Sequence, residues 1–331
     1  MEQTNQYVKQ FPELFKGKKV LYVHGFGSSG QSGTVTRLRQ VLPGATVMAP
    51  DLPVRPAEAL DLLHGLCDTE QPDLVIGTSM GGMYAEQLRG IDRILVNPAL
   101  QMGDTMKEHG MVGAQQFQNP RLDGVQEFIV TKALVKEYRE ATEGCFQGLT
   151  ADDRQRVWGL FGDEDTVVHT YDLFREHYPQ AVRFHGEHRM NDRSFMHSVV
   201  PVIRWIDDRQ QQRQRPIVYI SIETLLDDYR KPRSSAQKTV RLLLESYDVY
   251  FVAPASADGA PYADVLAWLY EYVNVPAYGH TVFTDRQDLL YGDYLVTTKE
   301  GDTMATLLLF GSDTFKTWDD VAEYFSRLGG Q

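Results

Sequence analysis

The sequence predicts two α/β units in succession, each a doubly wound, mostly parallel sheet with helices on its faces. Three observations predict it. Short apolar, β-rich runs alternate with stretches of helical spacing over residues 19–208, the rhythm of βαβ units. One run, Val75-Ile76-Gly77-Thr78-Ser79-Met80-Gly81-Gly82, passes from strand through a Gly-x-Ser-x-Gly turn into helix-forming sequence. The polar stretch Arg209-Gln210-Gln211-Gln212-Arg213-Gln214-Arg215-Pro216 then interrupts the rhythm, and a new β-rich run, Ile217-Val218-Tyr219-Ile220, begins directly after it. At 331 residues the chain suits two domains. The expected limits are 1–209 and 217–331, with residues 210–216 as linker.

The elements follow in order. Residues 1–16 lead in. Lys19 to His24 is apolar and bounded by Gly17 and Gly25, as a buried parallel strand is. A glycine- and serine-rich loop, Gly25-Phe26-Gly27-Ser28-Ser29-Gly30, precedes a helix over Val35–Leu42 that stops at Pro43-Gly44. Ala45–Ala49 is the second strand, Ala57–Cys67 a helix, Asp73–Thr78 the third strand and Ile91–Val96 the fourth, ending at Asn97-Pro98. Residues 99–150 break the rhythm with scattered glycines, a polar stretch from Gln115 to Arg121 and a predicted helix from about Gly124 to Glu140. A cap or lid over the active site belongs here, although a helical excursion without a gating role fits the sequence equally. Strand Arg156–Phe161, helix Thr170–Tyr178, strand Ala181–His185 and a helix over Arg193–Arg209 complete the unit. In that last helix Phe195, Val199, Val202, Ile203 and Ile206 share one face.

Composition narrows the function. Hydrophobic residues at 42% and charged residues at 24% are ordinary for a globular protein. No apolar run reaches 18 residues, so no transmembrane helix is expected. Met1–Gln10 is polar and lacks the apolar core of a signal peptide. Cys67 and Cys145 are too few for a disulfide framework and point to a reducing cytoplasm. A net charge of −12 opposes nucleic-acid or anionic-membrane partners. Residues 216–331 hold 9 Lys+Arg against 17 Asp+Glu, so most of that acidity lies beyond the linker.

The chemistry centres on Ser79. A strand, a Gly-x-Ser-x-Gly turn and a helix in this order form the nucleophile elbow of α/β-hydrolases. Gly77 and Gly81 remove side chains where strand and helix cross. A serine hydroxyl needs a base, and the base needs an acid to hold its tautomer. In this fold they follow in the order Ser, Asp/Glu, His, at the C-terminal ends of strands. Asp165 lies in Gly162-Asp163-Glu164-Asp165-Thr166-Val167-Val168, and His188 in His185-Gly186-Glu187-His188. Asp163 competes for the acid, and the Asp-x-Val pattern favours Asp165. His185 and His197 compete for the base; His197 falls inside the last helix, and His185 sits at a strand end. The oxyanion needs two N–H donors. The residue after the nucleophile, Met80, supplies one. The loop His24-Gly25-Phe26-Gly27 supplies the other, Phe26 N–H. His24, Gly25, Gly27 and Ser28 are then expected at the substrate pocket, with His24 shaping the loop.

These motifs together (His24-Gly25-Phe26-Gly27-Ser28-Ser29, Gly77-Thr78-Ser79-Met80-Gly81-Gly82, Val96-Asn97-Pro98-Ala99, Gly162-Asp163-Glu164-Asp165 and Gly186-Glu187-His188) resemble the small bacterial YqiA/YcfP-like esterases over residues 18–208. The resemblance implies an α/β-hydrolase with little lid, acting on acyl esters or thioesters, with Ser79 as nucleophile, Asp165 as acid and His188 as base. The chain departs from that pattern in a longer segment 99–150 and in Thr78, where serine is usual.

The second unit opens with Ile217-Val218-Tyr219-Ile220-Ser221-Ile222-Glu223, which resembles the first strand of haloacid-dehalogenase-like (HAD-like) phosphatases. Those carry Asp-x-Asp where this chain has Ser221 and Glu223. Asp248 to Ser256 resembles the strand that ends in a phosphate-binding hydroxyl. Asp285 to Thr298 resembles the 5′(3′)-deoxyribonucleotidase branch, whose paired acids are replaced by Thr297-Thr298 and whose lysine is replaced by Arg286. Neutral hydroxyls make a poor Mg²⁺ site. The unit is therefore expected to be a degenerate Rossmann-like domain without catalysis, kept for binding or support.

The sequence as a whole predicts a cytoplasmic serine hydrolase of a small-molecule acyl ester or thioester. No metal and no organic cofactor are implied, nor a nucleic-acid or membrane partner; a homo-oligomer is compatible. The alternatives are a non-catalytic two-domain scaffold and a nucleotide-binding protein working through the second unit.

Overall fold

The apolar runs form strands and the periodic stretches form helices. The computed structural model describes residues 8–227, 230–255 and 260–329, and the chain divides into units of residues 1–207 and 208–331. In the first unit the order is β1 (Lys19–Val23), α1 (Gly33–Val41), β2 (Thr46–Met48), α2 (Pro56–Glu70), β3 (Leu74–Thr78), α3 (Met80–Glu86) and β4 (Asp92–Val96). After them come α4 (Met102–Glu108), β5 (Gly113–Gln116), β6 (Glu127–Val130), α5 (Lys132–Thr142) and α6 (Ala151–Gln155). The unit closes with β7 (Val157–Gly162), α7 (Tyr171–His177), β8 (Gln180–Phe184), α8 (Asp192–Ser194) and α9 (Val200–Gln210), whose last residues fall beyond the division after Asp207. A π-helical turn, Phe195–Val199, lies between α8 and α9.

Six strands make one parallel sheet in the order β2-β1-β3-β4-β7-β8. The order reverses between β1 and β3, which pair from Val20↔Leu74 to Val23↔Gly77. Such a switch point opens a crevice at the C-terminal strand ends, where ligands of open α/β sheets bind. Strand residues Leu21, Val23, Val75 and Leu95 and helix residues Met83 and Tyr84 are fully buried in one core. This is the doubly wound α/β sheet expected from the sequence.

Segment 99–150 corrects the expectation of a helix over 124–140. Residues 127–130 are a strand, paired antiparallel to β5 from Gly113↔Val130 to Gln116↔Glu127. The helix starts only at Lys132, because Thr131 caps it: the Thr131 hydroxyl accepts the Leu134 N–H at 3.0 Å. The hairpin is tied to the sheet's own loops. Gln118 N–H donates to Gly27 O at 2.7 Å, Ser29 Oγ donates to Pro120 O at 2.6 Å, and Leu122 N–H donates to an Asp51 carboxylate oxygen at 2.7 Å. Phe128 packs edge-on against Phe26, ring centres 5.3 Å apart.

The second unit contains β9 (Ile217–Ser221), α10 (Ile222–Leu225), α11 (Ala236–Ser246), β10 (Asp248–Ala253), α12 (Ala260–Tyr272), β11 (Thr281–Phe283), β12 (Tyr294–Thr297), β13 (Thr306–Leu309) and α13 (Trp318–Arg327). Its sheet is parallel, in the order β11-β10-β9-β12-β13, with the first strand central. Val218, Ile220, Phe251, Val296, Leu308 and Trp318 form its core, and Trp318 Nε1 donates to Thr224 O at 2.7 Å. Ser256, the expected phosphate-binding hydroxyl, lies outside the described residues. No helix among the described residues is long and apolar enough to cross a membrane.

Candidate active site

Ser79 sits where β3 turns into α3, with φ 54° and ψ −121°. L-residues rarely adopt that backbone, and it turns the hydroxyl out of the sheet. The glycines make the crossing sterically possible. A Cβ on Gly77 would come within 2.4 Å of Gly81 O and 2.7 Å of Ala85 Cβ. A Cβ on Gly81 would come within 2.0 Å of Val23 O and 2.6 Å of His24 O. The second glycine therefore serves the contact of α3 with the end of β1 rather than the strand–helix crossing alone.

Three side chains from three loops meet here. His188 Nε2 lies 3.0 Å from Ser79 Oγ, and His188 Nδ1 lies 2.8 Å from an Asp165 carboxylate oxygen. The other Asp165 oxygen accepts the N–H groups of Val167 at 2.7 Å and Val168 at 3.0 Å. Burial of Asp165 works against its charge. The His188 hydrogen bond and charge and the two amides outweigh it, so the carboxyl stays below its ordinary value of 3.8. A carboxyl lowered in the folded state stabilises the fold above its unfolded value, and that stability is lost as pH falls through the native value. Asp165→Asn is therefore expected to be less stable than wild type at pH 7, with the gap closing below about pH 3.8. Urea denaturation at pH 7 and pH 3 measures it, and a pH-independent gap counts against the linkage.

The competitors are placed elsewhere. Asp163 pairs with His185 at 2.7 Å and accepts Gly186 N–H, forming a second acid–imidazole pair away from Ser79. His197 lies in the π-helical turn.

The serine opens on a cavity of about 960 Å³ lined in part by Gly25, Phe26, Ser28, Ser79, Thr78 and His188. A Cβ on Gly25 would lie 3.3 Å from Ser79 Cβ, so this loop runs directly against the nucleophile. Met80 N–H heads α3, where helix geometry offers it no backbone acceptor. Two expectations for the pocket are corrected. His24 does not line it: the imidazole is buried, with Nδ1 donating to Gly25 O at 2.9 Å and Nε2 accepting Leu52 N–H at 3.0 Å. Burial lowers its pKa, consistent with the neutral tautomer this bonding fixes. It joins the loops after β1 and β2. Gly27 does not line it either, because φ +66° tucks its buried backbone under the hairpin, where its carbonyl holds Gln118.

Sequence reasoning missed Asn97 as more than a strand end. At φ +44° its Nδ2 donates to Glu187 O at 3.2 Å and His188 O at 3.1 Å, while its Oδ1 accepts Gly162 N–H at 2.7 Å. One amide thus fixes the loop that carries His188 against the loop that leads to Asp165. Its signals in the sequence are an asparagine before proline at a strand end and its place in the Val96-Asn97-Pro98-Ala99 motif. Among the described residues no group of three or more His, Cys, Asp or Glu is placed to hold a metal ion.

The sheet order and the serine elbow at its switch point define an α/β-hydrolase fold. The model of an uncharacterised protein family, UPF0227, matches residues 19–205, and the chain belongs to that family. No curated protein matches it in sequence. Similar solved structures include a variant of tomato methylketone synthase I complexed with β-ketoheptanoate, at 12% identity over 60% of this chain and 98% of that one, TM-score 0.39. Est1E from Butyrivibrio proteoclasticus is 14% identical over 62% and 92%, TM-score 0.38. The thioesterase domain from the curacin biosynthetic pathway is 18% identical over 54% and 87%, TM-score 0.33.

Proposed function

We propose that the first unit is a serine hydrolase that cleaves carboxylic ester or thioester bonds of a small acyl substrate. The observation that carries this reading is the unbroken line from Ser79 Oγ through His188 to Asp165, opening on the cavity. Ser79 Oγ attacks the acyl carbon while His188 Nε2 takes its proton. Asp165 holds His188 in the tautomer that leaves Nε2 free and stabilises the imidazolium. Met80 N–H and Phe26 N–H hold the oxyanion, each contributing about 3 kcal/mol. His188 then passes its proton to the leaving alcohol or thiol, and water releases the acid by the reverse sequence. The residues do this without a cofactor. A serine-directed fluorophosphonate probe tests the reading. Wild type is expected to label and Ser79→Ala is not, and an unlabelled wild-type protein would sink the proposal.

Asn97 acts in this reading as a positioning residue for His188. Asn97→Gly accepts the same φ but loses all three hydrogen bonds. It is expected to lower kcat by about 10- to 100-fold with KM nearly unchanged, as small misplacements of catalytic groups do. Steady-state kinetics on a p-nitrophenyl ester, with circular dichroism to confirm folding, reads the effect; an unaltered kcat means that His188 is held by other contacts.

For the second unit we propose a HAD-like fold whose phosphatase site is lost and which serves binding or support. Ser221 Oγ accepts from Gln287 Nε2 at 3.2 Å, and Gln287 Oε1 accepts from Thr297 Oγ1 at 3.2 Å. Neutral groups thus bond one another at the ends of β9 and β12, where the resemblance places carboxylates. No Mg²⁺-dependent phosphate release from nucleoside monophosphates is expected. Release that rises with Mg²⁺ and vanishes in Glu223→Gln would overturn this.

A further inference from the structure

The cavity beside Ser79 has an arm that the hydrolytic chemistry does not use. This arm is the part of the cavity lining drawn from the start of α1, the π-helical turn and the strands beside them: Thr34, Arg37, Phe195, Tyr22 and Thr78. Its wall is rich in donors. Tyr22 OH and Thr78 Oγ1 are hydrogen-bonded at 2.9 Å, and the side chains of Ser32 and Thr34 stand near the same phenol. Burial raises the Tyr22 pKa, which keeps its proton in place as a donor. Gly33 and Thr34 open α1, a nine-residue helix whose N-cap, Ser32, makes no capping bond. Ser32 is 6% exposed, and its hydroxyl meets the Tyr22 phenol. The helix N-terminus adds its dipole.

Arg37 supplies formal charge. Its Nε donates to an Asp192 oxygen at 2.5 Å, and Nη2 contacts the same oxygen. The guanidinium carbon lies 5.4 Å from the Phe195 ring centre. Asp192 thus occupies one edge of the guanidinium, while Nη1 has no acceptor among the described residues. A fork of donors on a largely buried arginine suits planar or tetrahedral anionic oxygens.

Resting on the serine hydrolase reading, we propose that this arm binds an anionic oxygen group of the substrate, a carboxylate or a phosphate, close to the ester that Ser79 attacks. Thr78 is common to both places: its hydroxyl lines the arm and its neighbour in sequence is the nucleophile. The substrate is then an acyl ester or thioester bearing a negative charge near the scissile bond. Asp192 balances the Arg37 charge on one edge, and the incoming anion becomes the second acceptor on one guanidinium.

Two measurements on the full chain test this. The first compares kcat/KM for p-nitrophenyl hemiglutarate and p-nitrophenyl valerate, matched in acyl length and differing in charge. Wild type is expected to favour the anionic ester by about tenfold or more, the scale of one charge-assisted hydrogen bond. Arg37→Met is expected to erase that difference, and Arg39→Met, two residues along α1, to keep it. Should Arg37→Met fail to fold, Thr34→Val reports the same preference in weaker form. The second titrates glutarate and inorganic phosphate calorimetrically into Ser79→Ala, with and without Arg37→Met. Binding that depends on Arg37 supports the arm even if neither ester turns over, and the stronger of the two probes identifies the anion. Equal rates on both esters in wild type, a preference for the neutral ester, or a preference that survives Arg37→Met overturns the proposal. Loss of turnover and of probe labelling together, with Arg37-dependent glutarate binding intact, overturns the hydrolase reading instead.

Discussion

Ser79→Ala is expected to lower kcat for p-nitrophenyl ester hydrolysis by about 10⁴- to 10⁶-fold, leaving the residual rate that oxyanion contacts and binding give on their own. The size of the loss follows from the chemistry. No neighbouring hydroxyl can replace Ser79, because His188 Nε2 is directed to Ser79 Oγ at 3.0 Å. Residues that act as a unit are not additive. Ser79→Ala combined with His188→Ala is therefore expected to be no slower than Ser79→Ala alone. An acetate-to-palmitate series, run on wild type and both variants, measures the loss and reports the acyl length the cavity accepts. A reduction of less than tenfold would remove Ser79 from the nucleophile's place.

Gly81→Ala is expected to cost more than about 4 kcal/mol of stability, enough to abolish folding at 37 °C in a protein of ordinary stability. The added Cβ would meet Val23 O at 2.0 Å and His24 O at 2.6 Å, both backbone atoms that cannot rotate away. Relief requires moving α3 off the end of β1, which dismantles the switch point and the loop beside Ser79. Gly65→Ala is the control. Gly65 lies inside α2 with nothing within 4 Å of the new carbon, and alanine there is expected to stabilise by about 0.5–1 kcal/mol. Thermal denaturation of the pair separates the steric effect from the helix propensity of alanine. Similar melting temperatures for both variants would refute the packing argument.

The parallel sheet is legible in the sequence because its strands are buried on both faces and read as unbroken apolar runs, as in Val20 to Val23 and Ile94 to Val96. The hairpin is not. Its first strand, Gly113-Ala114-Gln115-Gln116, has neither apolar alternation nor β-branched residues, and its pairing depends on Gly27, Ser29 and Asp51 holding the loop in place. Helix-forming residues after Thr131 then make Glu127–Val130 look like part of the helix. Ser79, Asp165 and His188 can be chosen from sequence because motif and order point to them, and the structure brings the three within hydrogen-bonding distance. Asn97 and the Tyr22–Thr78 pair cannot, since each owes its role to contacts across 56 residues or more. His24 is legible only in part: the expected hold on its loop is present, in the bond from its ring to Gly25 O, while the bond to Leu52 N–H, 28 residues away, keeps the ring out of the pocket.

The backbone at Ser79 has a consequence for the history of such a chain. Its φ and ψ lie where glycine rests at ease and serine is strained, by about 1–3 kcal/mol. The surrounding structure enforces the geometry, with Ser79 N–H on Val96 O and the Gly82 and Ala99 N–H groups on Ser79 O. A lineage that no longer needed the hydroxyl could drift to glycine here and gain stability as it did so. The return step would then be opposed by the very strain that the original residue tolerated, so position 79 works as a ratchet that inactivation passes far more easily than reacquisition.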